Sequence, residues 1–118
     1  LLFFGDGHAL QGDGELLGAG VETSLDVEVT VNVKKGMKLA HPRAETAEWV
    51  ISIGAKEKAT MEERMQLATA DLVSWLVSGY GLTVREAHLL LGMKARFDVL
   101  SPAGAIAIRV EKSALPRR

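Results

Sequence analysis

Apolar and polar residues alternate from Val21 to Val33, and this alternation restricts the fold more than any other feature of the chain. Apart from Thr23, the odd positions are apolar, namely Val21, Leu25, Val27, Val29, Val31 and Val33. Because successive side chains of a strand point to opposite faces, the pattern predicts a long strand with one face in water. Lys34-Lys35-Gly36 would form the turn, and residues 37–40 would pair back as a hairpin.

Two helices are predicted after this hairpin, each from a capping box. Thr60-Met61-Glu62-Glu63 opens a helix that runs to about Ser78 and ends at Gly79 and Gly81. Thr83-Val84-Arg85-Glu86 opens a shorter helix through Leu91, ended by Gly92. The first helix has a stripe at three- and four-residue spacing that we expect to be core, formed by Met61, Met65, Ala68, Leu72, Trp75 and Leu76.

Further strands are predicted on both sides of the helices. They are residues 1–4, 48–53, 96–100 and 105–110, and residues 113–118 read as a frayed tail. Strands followed by helices favour an α+β fold over an alternating α/β fold. We therefore expect β-strands and a hairpin in a mixed or antiparallel sheet, then two helices, then a C-terminal β-hairpin. At 118 residues the chain would form a single domain spanning 1–118.

Composition limits the classes of partner. A hydrophobic fraction of 47%, a charged fraction of 25% and a net charge of -1 are ordinary for a globular protein. This charge gives no reason to expect nucleic acid or an anionic membrane as a partner. The chain has no cysteine, which fits a reducing cytoplasm and excludes disulfides and thiolate metal sites.

A motif rich in glycine and in polar residues spans Gly5 to Glu15, with the sequence Gly-Asp-Gly-His-Ala-Leu-Gln-Gly-Asp-Gly-Glu. If its backbone is extended, one face carries Asp6 and His8 and another carries Gln11, Asp13 and Glu15. A turn at Gly12 would bring the two groups together. These side chains can ligate a metal, accept a proton or bind a substrate, although a tight turn with a surface histidine is the alternative.

The motif closely resembles the G-D-x-H-A-x-Q-G-D-G-E signature of the acetamidase/formamidase family. Three later segments agree with the same family: His41-Pro42-Arg43 with Glu45-Thr46, residues 79–83 and residues 86–90. The resemblance covers nearly the whole chain but only the C-terminal part of the family's sequence. Members are normally more than twice this length, and their N-terminal part supplies further strands and active-site residues.

This resemblance implies hydrolysis of short linear amides, such as formamide and acetamide, to carboxylate and ammonia. A divalent metal held by His8 with Asp6 or Asp13 would polarise the carbonyl and activate water. Glu15 or Asp13 would act as general base and acid, and Gln11 would hydrogen-bond the substrate amide. Ligation by histidine and carboxylate suits zinc, whereas all-oxygen ligation suits calcium or magnesium.

The chain departs from the family at one place, which leaves a second interpretation open. Members usually carry an Asp shortly after the second helix and a Ser-Gln pair soon afterwards. The aligned positions here hold Arg96, Leu100 and Ser101. The alternative to an amidase is therefore a non-catalytic remnant of the fold that binds a small ligand or a metal, or that only makes turns.

Other polar residues and partners follow from the same analysis. Arg43 or His41 would reach a substrate carbonyl or a nearby carboxylate, or would only close a strand end. His88 has no partner at ligand spacing and is interpreted as a structural histidine. We expect the chain to work as a homo-oligomer, most simply a dimer, or beside a separate N-terminal subunit.

Overall fold

The computed structural model describes residues 7–102 and 104–117, and these form an α+β fold, as predicted. Two antiparallel sheets are present in this part of the chain: β1 with β2, and a larger sheet of order β3-β4-β6-β5. The elements are β1 (Gly7–Leu10), β2 (Val21–Thr23), β3 (Arg43–Glu45), β4 (Trp49–Ala55), α1 (Met61–Tyr80), α2 (Val84–Lys94), β5 (Arg96–Ser101) and β6 (Ala105–Glu111). Short 3-10 turns cover Asp13–Glu15 and Lys112–Ala114.

The core lies between the two central strands and the helices. In β4 every second residue is buried, and Val50 of this strand lies opposite Val110 of β6. These strands meet a face of α1 that buries Ala68, Leu72 and Leu76. Removing apolar side chains from water is the main favourable term in folding, so this contact holds the larger sheet on the helices.

Both capping boxes form as predicted. The N–H of Glu63 donates to the Thr60 hydroxyl at 3.1 Å, and the Glu63 carboxylate accepts from the N–H of Thr60 at 2.7 Å. Thr83 and Glu86 repeat the arrangement at 3.2 and 2.8 Å. The helix α1 ends at Gly81, whose φ of 71° is left-handed, but α2 continues past Gly92 to Lys94. The predicted stop at Gly92 is wrong because one glycine weakens a helix by only about 1 kcal/mol.

The predicted apolar stripe of α1 is correct in its middle and wrong at its start. Met61 and Met65 are 45% and 38% exposed, whereas Arg64 and Asp71 are buried. Arg64 is satisfied there because its guanidinium donates to the carbonyls of Lys56 and Pro102, at 3.2 and 3.3 Å. The buried face of α1 therefore contains two polar side chains that have hydrogen-bond partners, Arg64 and Asp71, in addition to its apolar residues.

The predicted long strand is wrong. Only its first residues form β2, and residues 24–34 adopt no helix, strand or turn. A turn does form at Lys35 and Gly36, but residues 37–40 do not pair back, and residues 21–40 are all exposed. A strand is stabilised by hydrogen bonds to a neighbour, and no described residue provides them beyond Thr23.

Two predictions concern the chain ends. The strand expected over residues 1–4 lies outside the described residues. The tail is not wholly frayed, because Leu115 is only 8% exposed and belongs to the core. None of the described helices is long and apolar enough to cross a membrane.

Candidate functional site

The hairpin of β1 and β2 places His8 directly opposite Glu22. Residues opposite each other in an antiparallel pair point to the same face, so their side chains can meet. The Nε2 atom of His8 lies 2.9 Å from a carboxylate oxygen of Glu22. Pairing of the two short strands therefore gives the motif histidine a carboxylate partner.

Gln11 holds the other side of the imidazole ring. Its Oε1 atom lies 2.6 Å from Nδ1 of His8, where the register of β1 shifts after His8 and the chain turns back. With the amide in this orientation, both ring nitrogens face oxygen acceptors, and both can donate only if the ring is protonated. The surroundings of His8 thus favour the imidazolium cation.

The pKa of His8 is raised for the same reason. The hydrogen bond with Gln11 has the largest effect and raises the pKa, desolvation lowers it, and the negative charge of Glu22 raises it again. Glu15 adds a weaker attraction, with Oε1 3.9 Å from Nε2. One amide and two carboxylates therefore surround the His8 ring and favour its cationic form.

Two glycines allow this geometry. Gly14 has a φ of 71° and packs on Val99 and Pro102, which anchors the 3-10 turn to β5. A methyl group at Gly20 would lie 2.7 Å from Nδ1 of His8, so the ring rests against the Gly20 backbone. Any larger residue at position 20 would displace the ring.

Asp13, another predicted site residue, does not join this cluster. Asp13 is exposed and makes no hydrogen bond or ion pair with another described residue. Asp6 lies outside the described residues. Among those that are described, no group of three or more His, Cys, Asp and Glu side chains is placed to hold a metal ion. His8, Asp13 and the described part of the motif do not by themselves make the proposed metal centre, and the metal stays a prediction.

A second polar cluster joins the sheet to α1. The Nε and Nη2 atoms of Arg43 each donate to Asp71 at 2.8 Å, and the Ser52 hydroxyl donates to Asp71 at 2.7 Å. The guanidinium of Arg43 also stacks over Trp75, 4.9 Å from the ring centroid. Of the alternatives left open for Arg43, the structure shows contact with a carboxylate, that of Asp71.

Asp71 is ionised in this cluster. Burial raises the pKa of Asp71, but hydrogen bonds from Arg43 and Ser52, with the charge of Arg43, outweigh burial and hold the pKa below its ordinary value. The Asp71 side chain is only 4% exposed. A buried carboxylate so fully paired is a structural anchor rather than a proton carrier.

The three positions that depart from the family lie on β5. Arg96 begins the strand and is exposed, Leu100 is 45% exposed, and the Ser101 carbonyl accepts from the N–H of Gly104 at 3.1 Å. None of the three makes a hydrogen bond or ion pair with His8. His88 is exposed on α2 and lines a groove of about 680 Å³ away from the motif, which agrees with its interpretation as a structural histidine.

Sequence reasoning missed two residues of these clusters. The alternation from Val21 to Val33 places Glu22 on the solvent face of a strand. It does not indicate that Glu22 lies opposite His8. Asp71 is not part of the predicted stripe of α1, although it lies on the buried face of this helix. A carboxylate on the buried face of a helix was the signal that could have indicated a paired cation.

No family model and no curated protein matches the chain. Among solved structures, an acetamidase from Yersinia enterocolitica matches 93% of the chain with 27% identity and a TM-score of 0.76. An acetamidase from Bacillus halodurans matches 88% with 29% identity and a TM-score of 0.75. A predicted acetamidase/formamidase from Thermoanaerobacter tengcongensis matches 90% with 26% identity and a TM-score of 0.67.

The match is nearly complete for this chain and partial for the others. The chain spans 34%, 36% and 36% of those three structures, about a third of each. The family predicted from the motif is thus the one that the structural comparison finds. The chain resembles one part of the acetamidase/formamidase structures.

Proposed function

We propose that this chain contributes to hydrolysis of short linear amides, with formamide and acetamide as the substrate class. The observation that carries the proposal is the cluster of His8, Gln11 and Glu15 within the motif, on a fold that resembles solved acetamidases. Hydrolysis needs a polarised carbonyl, an activated water and a proton for the departing nitrogen. The cluster contains a group suited to each of these tasks.

The roles follow from the chemistry of the side chains. The imidazolium of His8 is a charged donor, and a substrate carbonyl oxygen that replaces Glu22 or Gln11 would accept its hydrogen bond. Glu15 would take a proton from water as the water attacks the carbonyl carbon, and would pass that proton to the departing nitrogen. Gln11 would bind the substrate amide, and Asp13 is the alternative to Glu15 as acid and base.

Ammonia release from formamide and acetamide tests these roles. Glu15→Gln keeps the shape of the side chain and removes its base, so we expect the rate to fall by about 100-fold or more. Glu57→Gln is the matched control, since Glu57 is an exposed carboxylate far along the chain from the motif. Equal rates for the wild-type chain and Glu15→Gln would contradict the role of Glu15.

A metal bound by the neutral ring of His8 is the alternative to the imidazolium role, because only an unprotonated ring nitrogen can ligate a metal, and no step is assigned to the metal. The predicted ligands are Asp6, His8 and Asp13, with zinc, calcium or magnesium as the ion. We expect His8→Ala to lower the metal content of the purified protein more than His88→Ala does. Equal metal content in the two variants would count against His8 as a ligand.

A non-catalytic binding module is the second candidate. It is favoured by the contacts of His8, whose side chain is only 17% exposed and whose two ring nitrogens are both engaged. Such a module would bind formamide or acetamide without releasing ammonia. Calorimetric titration beside the ammonia assay distinguishes the two, because binding without turnover supports the module.

The chain would act in the cytoplasm, which the lack of cysteine supports, and as a homo-oligomer or beside a separate N-terminal subunit. The motif cluster supports this assembly, because Gln11, Asp13 and Glu22 are exposed and would need a further polypeptide to exclude water. We expect neither nucleic acid nor a membrane as a partner.

A further inference from the structure

We propose that residues 26–34 pair with the same residues of a second copy as an antiparallel β-ribbon whose two-fold axis passes through Thr30. The proposal specifies the homo-oligomer named above, and it rests on that part of the proposed function alone. It needs no assumption about amide hydrolysis.

The segment has the sequence of a strand, and within residues 7–102 and 104–117 no strand pairs with it beyond Thr23. Residues 24–34 make no backbone hydrogen bond with any other described residue. The valines between Leu25 and Lys34 are between 49% and 82% exposed: Val27, Val29, Val31 and Val33. Unpaired N–H and C=O groups beside apolar side chains are a template for pairing with another chain.

The charges of the segment select a second copy as the partner. With Thr30 on the axis, Asp26 of one copy lies opposite Lys34 of the other, and this contact occurs on both sides of the axis. Neither residue has an ion-pair partner among the described residues. Opposite charges placed directly across an antiparallel pair are stabilising, so the segment is complementary to itself.

The apolar face agrees with the same register. Val27 then lies opposite Val33, and Val29 lies opposite Val31, so every valine of the segment meets a valine. Glu28 faces Asn32 and meets no like charge. Cross-strand pairs of β-branched residues stabilise a sheet, and both faces of the ribbon therefore favour one alignment.

Neighbouring registers are worse. An axis at Glu28 sets two carboxylates opposite each other, and an axis at Val29 leaves Lys34 opposite Ser24 with no ion pair. An axis at Val31 forms an ion pair between Glu28 and Lys34 but puts Val27 opposite Lys35. An axis at Asn32 puts Val29 opposite Lys35. Each of these shifts keeps valines on one face but loses a charge pair or a valine pair, or creates repulsion.

Cysteine scanning can test this register, because the chain contains no cysteine. Single cysteines would be placed at each of residues 28–32 and the proteins oxidised mildly. Only the residue on the axis lies opposite itself, within reach of a disulfide. We expect Thr30→Cys to form a covalent dimer with a yield about tenfold above those of Glu28→Cys and Asn32→Cys. A mixture of the latter two variants should cross-link to each other.

A charge exchange gives an independent measurement of the same contact. Lys34→Glu should raise the dimer dissociation constant measured by sedimentation by about tenfold, because two attractive pairs become repulsive. Adding Asp26→Lys to Lys34→Glu should restore the wild-type constant. Lys58→Glu, at an exposed position outside the segment, is the control and should change nothing.

Three results would overturn the proposal. They are a monomer at every concentration, equal cross-linking at all of positions 28–32, and a maximum at a position other than 30. No substrate enters these experiments, so absence of ammonia release would leave this proposal standing. Conversely, loss of the dimer would not remove the roles given to His8 and Glu15.

Discussion

Asp71 shows how one residue holds three elements together in this fold. Its carboxylate accepts from Arg43 of β3 and Ser52 of β4 while it lies on the buried face of α1. Asp71→Ala would leave Arg43 without its partner, and we expect it to destabilise the protein by about 3–5 kcal/mol. Ser52→Ala removes only one of these hydrogen bonds and should cost about 1 kcal/mol. Urea unfolding compares the two, and equal losses would contradict this account.

Acid should weaken the same cluster. The pKa of Asp71 is lower in the folded state than the ordinary value of about 3.9, so the stabilisation is complete above that value. It is lost as the pH falls through the folded pKa. Unfolding free energies between pH 7 and pH 3 should therefore fall more steeply for the wild-type protein than for Asp71→Asn. Parallel curves would show that Asp71 is not ionised in the fold.

The stabilisation that His8 provides depends on pH in the opposite direction. Its pKa is raised above the ordinary value of about 6.5, so its stabilisation of the β1–β2 hairpin is complete below that pH. The stabilisation is lost as the pH rises through the folded pKa. The intrinsic exchange rate of amides also rises with pH. After correction for that rate, the protection factors of the hairpin amides should be lower above pH 7.5 than at lower pH. His8→Gln should remove this difference, and an unchanged pH dependence in that variant would exclude His8 as its source.

Among the helices and strands, the sequence indicates structure that depends on nearby residues and does not indicate structure that depends on distant ones. Both helices were predicted because a capping box joins residues three positions apart, which the sequence displays directly. The contacts of His8 with Gln11 and Glu15 are also local and were anticipated as a cluster. The strand over residues 21–33 was not realised beyond Thr23, because its formation depends on a neighbour that alternation cannot supply.

Trp75 tests the prediction of which face of α1 packs against the core. It is half-buried against the core, under the guanidinium of Arg43 and beside a groove of about 660 Å³. We expect Trp75→Ala to destabilise the protein by about 2–3 kcal/mol, less than the ~3–5 kcal/mol of a fully buried tryptophan. Met65→Ala is the matched control on an exposed position of the same helix and should cost much less. Equal thermal shifts would mean that the face assignment is wrong.

At the scale of the whole molecule, the larger sheet with its helices and the motif hairpin have different roles. The sheet β3-β4-β6-β5 and the two helices share one apolar core, and the sequence predicted both helices and the strands β4, β5 and β6 but not β3. The motif joins this body through Gly14 on Val99 and Pro102. That contact pairs residues far apart in the chain, and no periodicity in the sequence indicates it. The fold was therefore more predictable than the position of the site.

We propose that the motif forms an organised site around His8 that receives a small amide. Ring signals of the histidines in the NMR spectrum test it directly during titration with formamide. We predict that both ring nitrogens of His8 are protonated at pH 6.5, and that formamide shifts the His8 signals in a saturable way while those of His88 stay fixed. A neutral His8 ring whose signals move no more than those of His88 would contradict the account.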